Sequence, residues 1–123
     1  MLKMIASLIA ITVFVPTASA QTDPGPYKKA QTTYLIYGGS LGDMTAPTTS
    51  DKKIAFSIEG KAARALFEAI GPDKRDACLE GTGARVRHRN DENLYCVRSK
   101  EATYHCSFGF DLRTGKSIPG SIC

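Results

Sequence analysis

The apolar positions of this chain change their rhythm four times, and each change marks an element. Residues 4–15 are almost continuously apolar, with Ser7 and Thr12 the only polar side chains. Residues 32–37 are β-branched and aromatic, which predicts a strand. Ile54, Phe56 and Ile58 alternate with Ala55, Ser57 and Glu59, the period-two pattern of a strand with one apolar face. Over residues 60–70 the period lengthens to that of a helix, with Ala62, Leu66, Ala69 and Ile70 on one side and Lys61, Arg64 and Glu68 on the other. Gly71 and Pro72 then stop it. From Ala84 onward the period returns to two, predicting strands at about 84–89, 94–99 and 103–111. The order β-β-α-β-β-β predicts an α+β domain, one helix packed on an antiparallel sheet of about five strands.

The first apolar run has a different purpose. It follows the positively charged Lys3, is broken by Pro16, and leads to Ala18-Ser19-Ala20, with small residues where a signal peptidase needs them. This is the layout of a cleavable secretory signal over residues 1–20. The run is too short for the roughly 20 residues of a membrane-spanning helix. No cysteine stands at the junction to carry a lipid anchor. Residues 21–31, with two prolines and a glycine, read as a lead-in, and residues 32–123 as a single domain. The expected location is the periplasm or the exterior.

A domain of about 100 residues buries a modest core, so cross-links matter. All four cysteines, Cys78, Cys96, Cys106 and Cys123, follow the signal, and an even count in an exported chain predicts two disulfides. No two of them have the close spacing that a thiolate zinc site requires. Of the three possible pairings, Cys78–Cys96 with Cys106–Cys123 is preferred, because it closes long loops and ties helix and tail to the sheet. No metal and no cofactor is predicted.

The register of the sheet follows from a desolvation argument. Cys96 shares a side with Leu94 and Arg98, and Cys106 with Tyr104, Phe108 and Phe110. A four-residue turn after Arg89 would aim Arg85, Arg87 and Arg89 at that apolar side; a five-residue turn would aim Ala84, Val86 and His88 there instead. Burying three unpaired guanidinium groups costs several kcal/mol each, so the second is expected. The outer face would then carry Arg85, Arg87, Arg89, Tyr95, Val97, Ser99 and His105, with His88 on the opposite side from His105.

The net charge of +4 is mild and gives no reason to expect nucleic acid as a partner. The candidate contact surface is the arginine ladder with Tyr95 and His105, together with the loop at 38–46 that carries Ser40 and Asp43. Arginine forks suit an acidic protein surface. The glycines of Gly38-Gly39-Ser40-Leu41-Gly42 lack the ending of a phosphate loop and read as a turn. The enzymatic alternative is a small secreted ribonuclease, with Glu59 as base, His105 as acid and Arg87 steadying the transition state.

A signal sequence, a small β-rich domain and paired cysteines resemble the small periplasmic inhibitor and immunity proteins of bacteria, lysozyme inhibitors among them. The run Phe108-Gly109-Phe110-Asp111-Leu112-Arg113-Thr114-Gly115-Lys116-Ser117-Ile118-Pro119-Gly120 is similar to a run in exported bacterial proteins. The Ser-Gly-x-x-Tyr loop of periplasmic lysozyme inhibitors is absent; Gly39-Ser40-Leu41-Gly42 has another order. The resemblance implies a non-enzymatic binding module acting by protein–protein contact.

Overall fold

The computed structural model describes residues 9–18 and 23–123. Residues 9–18 form no regular element, and the expected cleavage junction after residue 20 lies outside the described residues. The elements are β1 (Gln31–Ser40), β2 (Asp43–Thr45), β3 (Lys53–Glu59), α1 (Gly60–Ala69), β4 (Arg85–Arg89), β5 (Leu94–Arg98), β6 (Tyr104–Asp111) and β7 (Ser117–Ile118). The strands form one antiparallel sheet in the order β2-β1-β3-β6-β5-β4, with β7 beside β6. The α+β expectation holds. The additional strands, β2 and β7, have three and two residues, too short for alternation to reveal them in the sequence.

Directly opposed residues share a face of the sheet, so the register assigns two faces. The first contains Thr32, Tyr34 and Ile36 of β1; Ile54, Phe56 and Ile58 of β3; and Tyr104, Cys106, Phe108 and Phe110 of β6. Leu94, Cys96 and Arg98 of β5 continue it. The helix covers one half of this face. Its Ala63 and Phe67 are buried, and Leu66 and Ile70 pack beside them against Ile58, Tyr104, Cys96 and Cys106. Ala63, Leu66, Phe67 and Ile70, the last capping the helix, have i, i+3, i+4 and i+7 spacing. The packed stripe is therefore centred on Ala63 and Phe67, whereas Ala69 is exposed. The bulky Phe67 ring gains more from burial than the alanines do, and it sets the rotation of the helix.

The second face carries Tyr37, Ala55, Ser57, Glu59, His105, Ser107, Tyr95, Val97, Val86 and His88. Two irregular segments cover it. Residues 73–83 leave the helix end, pass the outer edge of β4, where the Lys74 N–H donates to the Val86 carbonyl at 2.7 Å, and reach Tyr95, whose hydroxyl donates to Asp76 at 2.7 Å. The tail after β7 returns across the sheet, with Ser121 and the buried Ser107 hydrogen bonded at 2.6 Å. Gly120 is required there, because a side chain would overlap the Phe108 backbone.

The disulfides are Cys78–Cys123 and Cys96–Cys106, which overturns the preferred pairing. Cys96 and Cys106 stand directly opposite each other in the register with Cα atoms 4.1 Å apart, the geometry of a closely spaced antiparallel pair. The other bridge, with Cα atoms 5.9 Å apart, joins the two segments that cover the second face. It closes a 45-residue separation against 10 for the cross-strand bridge. In a chain-entropy account these contribute roughly 4 and roughly 3 kcal/mol.

The arginine register is also corrected. Arg89 pairs with Leu94 and Arg87 with Cys96, so the turn has four residues, 90–93, and all three arginines lie on the helix side. Asn90, Asp91 and Glu92 take left-handed φ values of 54°, 51° and 69° to make this turn, a conformation that Asn and Asp tolerate better than most residues. The desolvation premise fails because the guanidinium groups are neither deeply buried nor unpaired. Beta4 overhangs the end of α1, which gives the arginines a partner that the sequence does not reveal.

Candidate functional site

Arg85 and Arg87 converge on one carboxylate. Arg85 donates to the two oxygens of Asp73 at 2.7 and 3.2 Å, and Arg87 donates to one of them at 2.8 Å. Arg87 also donates to the Phe67 carbonyl at 2.8 Å, and Arg89 donates to the Gly71 carbonyl. These carbonyls belong to the C-terminal end of α1 and the residues just after it, where the helix dipole favours cations. The Arg87 and Arg85 Cζ atoms stand 4.2 and 5.5 Å from the centre of the Phe67 ring, within cation–π range. Two guanidinium donors hold the Asp73 carboxyl below its ordinary value of 3.8, to about 2. The predicted basic ladder is therefore a clasp that fixes β4 to the helix.

The other predicted contact residues are dispersed. Tyr95 and His105 lie on the second face, together with His88, so the two histidines share a side. Tyr95 is half-buried against Asp76. Burial, and then its hydrogen bond to that carboxylate, pushes the phenol well above its ordinary value of 10.0. His88 and Tyr95 are stacked with centroids 6.4 Å apart. Ser40 and Asp43 are exposed at the far end of the sheet, where the Asp43 N–H donates to Ser40 Oγ at 3.2 Å across the β1–β2 turn. Behind that turn the Gly39 N–H donates to Asp51 at 2.7 Å, and Lys53 pairs with Asp51 and donates to the Gly39 carbonyl. Hydrogen bonding from Lys53, and then from Gly39, lowers the Asp51 carboxyl.

On the second face, a cleft of about 510 Å³ lies beside the Cys78–Cys123 bridge, bordered by Tyr95, His105, Asp76, Leu79 and Ile122. His105 Nε2 and Ser57 Oγ are 2.6 Å apart, and Glu59 is directly opposite His105 in the register. Glu59 accepts a hydrogen bond from Gln31 at 3.1 Å. Two of the three residues considered for hydrolysis are thus neighbours, while Arg87 lies on the other side of the sheet.

A further feature of the sheet is apolar. The half of the first face that the helix leaves bare presents Tyr34, Ile36, Ile54, Phe56, Phe108 and Phe110. Tyr34 is 68% exposed, Ile36 40% and Phe110 37%. The rings form a row across the strands: Tyr34 to Phe56 at 6.4 Å, Phe56 to Phe108 at 5.1 Å, and Phe108 to Phe110 at 6.1 Å. Lys52, Arg113 and Lys116 stand near the Phe110 end, where the Leu112 N–H donates to the Lys52 carbonyl and the Asp111 N–H to the Lys116 carbonyl. The alternation of β3 and β6 signals apolar residues on this side, but the single helix is too narrow to cover all of them. Among the described residues, no helix is long and apolar enough to cross a membrane.

No family model, curated protein or solved structure matches this chain.

Proposed function

We propose that this protein is a small secreted or periplasmic binding module that acts by protein–protein contact, in the manner of an inhibitor or immunity protein. The carrying observation is the bare apolar row from Tyr34 to Phe110. Contiguous exposed apolar surface of this kind marks interaction sites in small proteins. Aromatic anchors with a charged rim fit the anatomy of an interface. The basic rim of Lys52, Arg113 and Lys116 suits a partner with acidic residues around an apolar patch. The two disulfides support an oxidising location and give the sheet a rigid frame. The reading of residues 1–20 as a signal points the same way.

The test is affinity recovery of partners from a periplasmic extract with the oxidised protein and with Phe110→Asp. A partner retained by the parent chain and lost with Phe110→Asp is the expected result. Equal recovery by both removes the apolar row from the account.

One observation favours a second reading. Glu59 and His105 are cross-strand neighbours on one face, beside a Ser57–His105 hydrogen bond, which puts a carboxylate and an imidazole in the same region. A ribonuclease-like hydrolase would use Glu59 and His105 and would need a cation other than Arg87. Incubation with RNA tests it: cleavage lost in His105→Ala supports hydrolysis, and no cleavage above buffer ends it.

A further inference from the structure

We infer that the outer edge of β1 is a pairing site for the same strand of a second copy of this chain, giving a two-fold antiparallel β1–β1 dimer. Strand β2 covers β1 only at Gly38, Gly39 and Ser40. From Gln31 to Tyr37, β1 pairs with β3 on its inner side, and no described strand lies on its outer side. Every second backbone N–H and C=O of that stretch therefore points outward, an open template for another strand. The side chains do nothing to discourage a partner. The stretch has no charge and no proline, and Tyr34, Leu35 and Ile36 are 68%, 47% and 40% exposed.

Three observations select a second copy as the occupant. The first is length. Beta2 closes the slot at Gly38, so the slot takes a strand of about 23 Å, and the free stretch of β1 in another copy has the same length. The second is self-complementarity. Full antiparallel pairing of two such stretches places the two-fold axis at Tyr34, with Thr32 opposite Ile36 and Thr33 opposite Leu35. No like charges meet, and β-branched and aromatic side chains face each other across the junction. The third is charge at the ends. In that arrangement the exposed Lys28-Lys29 of one copy comes to the end of the slot that the other copy closes with β2, the strand that carries the exposed Asp43.

The proposal rests on the open edge and stands apart from the apolar row, although the two adjoin at Tyr34. Its test is the solution mass of the oxidised protein without residues 1–20, by light scattering at roughly 100 μM. A mass about twice that of one chain is expected. Tyr34→Lys and Tyr34→Glu, each placing like charges on the two-fold axis, are expected to be monomeric with unchanged circular dichroism. Their equimolar mixture is expected to recover the dimer. Phe110→Asp, two strands away from the edge, is expected to remain dimeric. A monomeric parent chain, a dimer indifferent to Tyr34→Lys, or a dimer broken by Phe110→Asp overturns the inference. A dimer whose partner recovery is equal with and without Phe110→Asp sinks the functional proposal and leaves this one standing.

Discussion

The two edges of the sheet are treated in opposite ways. Beta4 is guarded: Lys74 takes a backbone acceptor at its outer side, and three arginines fasten its inner face to Asp73, Phe67 and Gly71. The segment 73–83 then wraps from one face of the sheet to the other around it. Along β1 from Gln31 to Tyr37, no described strand covers the outer edge, and the side chains carry no charge. Natural sheets protect their edges against other chains with charges, prolines or covering segments. A domain that applies these devices at one edge and omits them at the other presents the second edge as a surface for contact.

The contrast can be broken most forcefully at Phe67. Its ring is the buried centre of the helix–sheet contact and the platform under Arg85 and Arg87. Phe67→Ala is expected to cost about 3–5 kcal/mol in urea unfolding, and to free β4 while leaving β1 paired to β3. A loss below about 1 kcal/mol would show that the clasp does not depend on this ring.

Replacing Cys78 and Cys123 together by Ser unpins the segments that cover the second face. The expected loss is about 2–4 kcal/mol, with the Cys96–Cys106 bridge intact by peptide mapping. Mapping that instead recovers Cys78 joined to Cys96 in the parent protein would contradict the fold.

Asp73 sharpens the guarded edge through pH. In the folded chain its carboxyl binds a proton only near pH 2, against an ordinary value of 3.8. The contribution of the pair is therefore full above pH 3.8 and is lost as pH falls toward 2. Because the carboxylate is partly open to water, solvent screening limits the loss in Asp73→Asn at neutral pH to about 1 kcal/mol. The clearer outcome is a flatter acid limb in the stability profile of Asp73→Asn. An unchanged slope in that window would remove the clasp from the acid response.

At the open edge the smallest stability effect is expected. At protein concentrations low enough for the chain to be monomeric, Tyr34→Lys should change unfolding by no more than about 0.5 kcal/mol, because in the monomer the side chain is mostly in water. A loss of several kcal/mol would mean that Tyr34 supports the monomer.

Legibility in the sequence followed the range of the interaction. The alternation of Ile54, Phe56 and Ile58 reports a local period, and the helix with its Gly71-Pro72 stop reports local backbone preference; both appear in the fold. The cross-strand pair Cys96–Cys106 was also within reach, since a turn centred on Glu101 sets them opposite each other. An argument from loop length alone favours the other pairing, and the direct opposition of the two strands outweighs it. The arginine register depends on Asp73 and on the end of α1, groups that touch β4 but stand well before it in the sequence, with no local pattern to announce the contact. Without those partners, the desolvation argument alone puts Arg85, Arg87 and Arg89 on the outer face. Residues 73–83 and the tail have no apolar period, so the sequence does not show which face of the sheet they cover. The bare apolar row was legible as apolar, but only the width of the helix shows which part stays open.

Hydrogen exchange measured at two protein concentrations tests the contrast most directly. The account predicts that protection in the peptide covering residues 31–37 rises with concentration, while the peptide covering residues 85–89 keeps one rate throughout. Equal behaviour of the two peptides, or a concentration effect confined to 85–89, would contradict it.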